Sequence, residues 1–283
     1  MNEKESACLL KPEMLMNRTD RKLTQTMNIQ FLSYNIQHGV GIDGRLDLGR
    51  IGDIIRQSDA DIVALQEVDN HFGARSNYEN QAKLLSENLG FHYVYGPSID
   101  LAPAPGQLEN QQYGTAILSR QPIVSSHLLS LSSDPEEQRT MLHAVINING
   151  AQLNVYNIHL GLDSISRMVQ VAEVMDYMEQ QEGLHVLLGD SNAPPEEKEM
   201  RELMLQANLT DAFKDDQASA TYPAWEPEKR IDYILFSSMF NLIDQTVIHT
   251  DASDHFPIKA GVSINLHDLY KQTEQSYKEI LPT

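Results

Sequence analysis

Apolar residues fall along the chain in short runs bounded by polar ones, alternating with stretches where they recur every three or four positions, so strands and helices are interleaved. Residues 29–34 read as a strand ending in the polar Asn35-Ile-Gln-His38-Gly39. Asp47 is placed to cap a helix whose apolar face is Leu48, Ile51, Ile54 and Ile55. In Asp61-Ile-Val-Ala-Leu-Gln-Glu67-Val, four apolar residues in a row predict a central strand that opens on Glu67. A helix is expected over 78–89, stopped by Gly90, and a strand over 91–95. The segment 98–112 contains Pro103 and Pro105 and has no periodic pattern; it is expected to be a long loop that touches substrate.

Strands follow at 113–119 and 123–131. Residues 140–148 and 151–158 predict a hairpin about Asn149-Gly150, whose antiparallel pairing makes the sheets mixed. Asp163 or Ser164 caps the next helix, which is expected to bury Ile165, Met168, Val169, Ala172 and Met175 along one face. In His185-Val-Leu-Leu-Gly-Asp190-Ser-Asn192, Val186 to Leu188 form a buried strand, and Gly189 lets the chain leave the sheet where no side chain would fit. Asp190 and Asn192, spaced by two, are expected to point the same way from an extended segment. Pro194-Pro195 opens a short helix to about Gln206, and Arg230-Ile-Asp232-Tyr-Ile-Leu-Phe buries Ile231, Tyr233 and Leu235 on one face. Ser253-Asp254-His255-Phe-Pro257 precedes a last strand.

At 283 residues and 41% hydrophobic, with no linker or charge block, the chain is expected to form one domain over 28–265. Residues 1–27 are expected to be a disordered extension and 266–283 a helical tail. The single cysteine, Cys8, leaves no internal disulfide. With no signal-peptide core and no apolar run near the roughly 20 residues of a spanning helix, the chain is expected to be soluble, cytoplasmic and monomeric. Twenty-one basic against 40 acidic residues give a net charge of −19, which repels polyanions at long range. Between Arg75 and Arg120 the only basic residue is Lys83. Nucleic acid is therefore the disfavoured partner, since strong duplex binding takes on the order of 6–10 phosphate contacts.

The polar residues at apolar strand ends are Asn35, Glu67, His159, Asp190, Asn192, Asp232, Asp254 and His255. Each alone reads as a cap or a satisfied core residue; their recurrence at successive strand ends is what one shared rim would produce. Acids, amides and imidazoles without a thiol favour a hard cation, Mg²⁺ or Mn²⁺, over structural zinc. A carboxylate that holds a water beside an amide donor suits chemistry at phosphorus.

The motifs Tyr34-Asn35-Ile-Gln-His38-Gly39, Leu65-Gln-Glu67-Val, Tyr113-Gly-Thr-Ala-Ile-Leu-Ser, Asn157-Ile-His159-Leu, Gly189-Asp190-Ser-Asn192-Ala, Arg230-Ile-Asp232-Tyr and Ser253-Asp254-His255 occur in one order over roughly residues 28–263. In this the chain resembles the endonuclease/exonuclease/phosphatase superfamily, the deoxyribonuclease I-like phosphoesterases. The resemblance implies an α+β fold, a four-layer αββα sandwich with two mixed β-sheets and the site where the strand ends of both halves meet. It implies that Glu67 is the principal metal ligand, with Asn35 beside it and Asp254 in or next to the coordination shell. Asp190 would orient or deprotonate the attacking water, Asn192 and His159 would hold phosphate oxygens, and His255, oriented by Asp232, would stabilise the phosphate. Tyr113, Arg139 and Asn157 would contact substrate. Ser191 stands where the family usually has an aromatic, Asn80-Gln81 where close bacterial relatives have an acid-Gln pair, and Arg139-Thr140 where they have Arg-Gly.

The expected function is a divalent-metal-dependent hydrolase of a small or lipid-derived phosphoester, a phosphodiesterase, with an endo- or exonuclease as the alternative. A non-catalytic binding module, the third reading, would be expected to lack one of these acids or histidines, and none is missing.

Overall fold

Two six-stranded sheets carry the fold, and the computed structural model describes residues 26–216, 218–265 and 268. The expected extension falls almost entirely, with Cys8, outside the described residues, as does nearly all of the expected tail. In the first sheet, β1 (Thr26–Asn35) and β2 (Ile62–Asn70) pair in parallel at its centre, flanked by β3 (His92–Leu101), β4 (Gln111–Ser119), β11 (Asn241–Val247) and β12 (Ile258–Asn265) in the order β11-β12-β1-β2-β4-β3. The second has the order β5-β6-β7-β8-β10-β9, built from β5 (Ile123–Leu131), β6 (Arg139–Ile148), β7 (Ala151–His159), β8 (Leu184–Asp190), β9 (Leu209–Asp211) and β10 (Asp232–Ser237). Only β7 and β8 are parallel there, so both sheets are mixed.

Three apolar clusters separate four layers. The largest lies between the sheets, with Phe31, Ala64 and Val262 from one and Ala144, Val186 and Ile234 from the other. A second packs α1 (Leu48–Ser58) and α2 (Gln81–Leu89) on the outer face of the first sheet through Ile51, Ile55 and Leu85. The third seats α3 (Ser164–Glu179) and α4 (Lys198–Gln206) on the second sheet through Val171, Val174, Met200 and Leu203. This is the expected αββα sandwich. Strand β10 serves two of these interfaces at once, Tyr233 and Leu235 facing the helices and Ile234 and Phe236 facing the other sheet. Asp232 to Phe236 are therefore buried on both faces, not on one alone.

Local signals fall where the pattern put them. Asp47 and Asp163 accept backbone hydrogen bonds at the starts of α1 and α3, and Asn149 and Gly150 both take positive φ in the hairpin turn. Asn80 caps α2, so that helix starts at Gln81, three residues later than expected, and α4 starts at Lys198 rather than at the prolines. The expected long loop 98–112 is shorter: β3 and β4 stay paired out to Leu101 and Gln111, and the connection is only a hairpin tip.

Helix α3 overturns a larger expectation. Ile165, Met168 and Val169 are exposed, at 72%, 41% and 46%, whereas Arg167, Gln170, Val171, Val174 and Met178 are buried. Two polar side chains take the inner face because partners wait there. The Arg167 Nε donates to Glu199 Oε1 at 2.8 Å, and Gln170 bonds the backbone at Gly161 and Ser132. A buried polar group so satisfied is tolerated, and it rotates the helix away from the face that apolar periodicity chose.

Candidate active site

Strand register brings the site together. In the second sheet His159 lies opposite Asp190, and Asp190 opposite Asp232, so three adjacent strands end in polar side chains at one level. In the first sheet β1 ends at Asn35 beside Gln66. The register of β2 against β4 shifts between Leu65 and Val68, and Glu67 sits in that bulge with φ of 56°. A non-glycine residue rarely holds this left-handed conformation; here it re-aims one side chain, as bulges beside functional sites do. Glu67 thereby reaches Asn35, while Gln66 turns inward to Asn157.

Gly189 is needed for a different reason from the one the pattern gave. The strand continues through it to Asp190, at φ of 141°, and an added Cβ would stand 2.0 Å from the Ile158 carbonyl oxygen. Close approach of β7 to β8, not an exit from the sheet, excludes a side chain.

Asp190 is the hub. Its Oδ2 accepts from Asn35 Nδ2 at 3.0 Å and lies 3.6 Å from His159 Nε2 and 3.7 Å from His255 Nε2. Its Oδ1 accepts from the backbone N–H of Asn192 at 2.9 Å, an Asx turn at the end of the strand. Asn192 consequently does not continue an extended segment: it has φ of 51° and its Nδ2 donates to Leu160 O, although the residue still lines the cavity. Burial pushes the Asp190 carboxyl up to about 7, against the pull of His255.

The two imidazoles differ in charge. His255 Nδ1 lies 3.0 Å from Asp232 Oδ2. Burial opposes a charge on its ring, but Asp232 and Asp190 outweigh burial and push it up to about 10, leaving an imidazolium between two carboxylates. Burial, and then the positive Arg139 and His255, hold His159 well below the usual histidine range, so its ring is neutral. The Arg139 Nη1 lies 3.2 Å from His159 Nδ1 and 2.9 Å from Glu137 Oε1.

These groups open on a cavity of about 1030 Å³. Glu67, His159, Asp190, Asn192, Asp254 and His255 line it, with Tyr113 and Arg139 from the strands and Tyr222 and Lys229 from the connection between β9 and β10. Asn35 and Asp232 stand behind that lining, fully buried. Both Asn35 amide hydrogens are engaged, by Glu67 and by Asp190, so the residue orients two acids. Asn157 does not meet the expectation of a substrate contact. It lies between the sheets, accepts from Gln66 Nε2 at 2.7 Å and donates to the carbonyls of Leu65 and Ala116, each at 2.9 Å. No residue of the loop 102–110 lines the cavity either.

The donor chemistry fits a hard cation. Glu67 accepts one hydrogen bond, from Asn35, and among the described residues neither it nor Asp254 has an ion-pair partner. Burial raises the Glu67 carboxyl and Asp254 adds repulsion, only partly offset by Asn35, His255 and Arg139, so the cavity gathers acids that a cation would neutralise. A second set, Asp190, Asp232 and His255, keeps its ligand atoms within 4.8 Å of one another, a spacing that can also hold a metal.

Residues 32–255 match the Endonuclease/Exonuclease/phosphatase family. The chain belongs to that family. It is 28% identical over 261 residues to the protein YbhP of Escherichia coli (strain K12), covering 85% of this chain and 98% of YbhP. Among solved structures, an endonuclease/exonuclease/phosphatase from Beutenbergia cavernae superposes with a TM-score of 0.72 at 21% identity, over 84% of this chain and 72% of that one. The mannosyl-6-phosphatase Bt3783 of Bacteroides thetaiotaomicron gives 0.66 at 20% identity, over 83% and 99%. At these identities the two structures speak for the fold alone. Family members hydrolyse phosphoesters, and among the described residues no helix is long and apolar enough to cross a membrane.

The sequence pattern passed over Tyr222, whose ring centroid lies 4.7 Å from that of His255. An aromatic before a proline inside a polar segment, three residues before the only tryptophan, is the signal that was there to find.

Proposed function

We propose that this chain is a divalent-metal-dependent phosphodiesterase acting on a small or lipid-derived phosphoester. The observation that carries the reading is Asp190 itself: a buried carboxyl fixed by Asn35 and Asn192, with one oxygen between the imidazoles of His159 and His255 and its affinity for a proton raised by burial. A base with that affinity for a proton is matched to removing one from water at neutral pH. The imidazolium of His255, held by Asp232, is a donor to oxygens on which charge builds, and the Arg139 guanidinium beside His159 is a second. Tyr113 and Asn192 complete the contacts to substrate.

Glu67 and Asp254 would hold Mg²⁺ or Mn²⁺, with Asn35 orienting Glu67 from behind. A bound cation supplies neutralisation of the phosphate charge and polarisation of its oxygen. Asp190, Asp232 and His255 are reserved for the proton, because the His255 Nδ1 is already engaged by Asp232. The net charge of −19 favours a compact substrate over a polyanion, which ranks a nuclease second. A panel with Mg²⁺ and Mn²⁺, comparing a chromogenic phosphodiester, a phosphomonoester, plasmid DNA and phospholipid head groups, tests the reading. Turnover of the small diester above the rest is the expected result, and hydrolysis of none of them overturns it.

A further inference from the structure

The connection between β9 and β10 carries an aromatic pair, of which Tyr222 lines the cavity and Trp225 stands outside its lining. Tyr222 lines the cavity with its ring tilted over His255, and Trp225 stands 6.4 Å beyond it, nearly edge-on at 63°. Trp225 is 61% exposed, a large apolar surface left in water.

The turn that carries it is pinned. Tyr222 pairs with Lys229 across the turn, Glu226 N donates to Pro223 O and Glu228 N to Tyr222 O. Two further bonds join the turn to the catalytic segment, Ala224 N to Asp254 O at 2.7 Å and Phe256 N to Thr221 O at 2.8 Å. The backbone that carries the rings therefore holds a fixed position relative to Asp254 and His255, so a ligand that stacks on them orders no loop. The Tyr222 phenol also sits within the field of Asp254, Asp190 and Glu67, over the acids of the site.

We infer that Tyr222 and Trp225 form a stacking shelf for a planar π group carried by the phosphoester substrate, an aryl or nucleoside substituent. This rests on the hydrolase reading above. A phosphate at His255 would send its ester substituent outward along the shelf, over about the reach of a sugar and a base. Stacking surface of this kind is tolerant of which ring it receives. The acidity of the chain favours a single small ester over a strand of them.

The chain contains one tryptophan, so its fluorescence reports this position alone. The full chain with Mg²⁺ is titrated with adenosine 5′-monophosphate, phenyl phosphate and ribose 5-phosphate. The expected result is quenching by the ligands that carry a ring, with binding about tenfold tighter than ribose 5-phosphate. Quenching by both assigns any aryl ester, and quenching by the nucleotide alone assigns a nucleoside. Tyr222→Leu keeps the fluorophore and is expected to lose most of the difference. Trp225→Leu, read through inhibition constants, is expected to bring the three ligands to within about twofold, and Trp225→Phe to restore most of the selectivity. Ribose 5-phosphate binding as tightly as the nucleotide and the phenyl ester, or a selectivity unmoved by Trp225→Leu, overturns the shelf. A chain that hydrolyses no phosphoester overturns the hydrolase reading while leaving the fluorescence titration readable, so the two fail separately.

Discussion

Asn35 and Asp190, 155 positions apart, meet at 3.0 Å where the ends of the two sheets converge, and the bond leaves the Asp190 oxygen between two imidazoles. The same Asn35 side chain orients Glu67. One amide thus couples the carboxylate assigned to the cation with the carboxylate assigned to the water.

Asp190→Asn keeps the shape and an acceptor for the Asn192 N–H while removing the base. The expected outcome is a kcat lower by roughly 10²–10⁴-fold with KM little changed, because general-base assistance acts in the transition state. Turnover and melting temperature measured on one preparation decide it. Near wild-type turnover would show that the Asx turn is all Asp190 provides.

Chelation is expected to abolish hydrolysis, and added Mg²⁺ or Mn²⁺ to restore it, since Glu67 and Asp254 line the cavity with no ion-pair partner among the described residues. Glu67→Gln should raise the metal concentration needed for half-maximal activity. Full activity after exhaustive chelation would refute the metal role.

Asn157→Leu separates a structural bridge from a substrate contact. The change removes one of the two acceptors of Gln66 Nε2, which keeps Ser33 Oγ, and the side-chain donor to the carbonyls of Leu65 and Ala116, at about 1–3 kcal/mol for each buried group left unsatisfied. A melting temperature lower by roughly 5–10 °C is expected, with KM of the folded protein little altered. A raised KM at unchanged stability would return Asn157 to the substrate.

His185 carries a pH dependence away from the site. Burial, and then His143, lower it to about 4, and its Nδ1 lies 2.9 Å from the Tyr156 hydroxyl. The unfolded chain takes up this proton near 6.5 and the folded chain does not, so the unfolded state gains as pH falls. Stability is fully present above about 6.5 and is lost between there and about 4. Chemical denaturation at pH 7 and pH 5 should show that loss, and His185→Gln should reduce it. An unchanged slope in the variant would assign the effect elsewhere.

Purified protein should nick plasmid DNA only feebly at about 0.15 M salt, given 21 basic residues against 40 acidic ones. Efficient nicking under those conditions would move the reading to the nuclease.

Sequence alone determined what neighbouring residues decide between them: the strands that end in Asn35, His159 and Asp190, the Asn149-Gly150 hairpin, and the caps at Asp47 and Asp163. Their causes are apolar spacing, turn conformation and a side chain that reaches a backbone N–H two or three positions on. The family motifs named the acids and histidines and, with them, the sandwich. Tertiary structure decided whatever depends on a partner far along the chain. Arg167 and Gln170 are buried, and Met168 is not, because Glu199 and the Ser132 carbonyl lie beneath the helix. Asn157 is occupied by Gln66, Leu65 and Ala116 of the opposite sheet, and Asn35 stands behind the acids it orients. Tyr222 reaches His255 because backbone bonds tie its turn to residues 254 and 256. A polar side chain is placed by where its hydrogen bond can be made, and for these residues that partner lies too far along the chain for local periodicity to find.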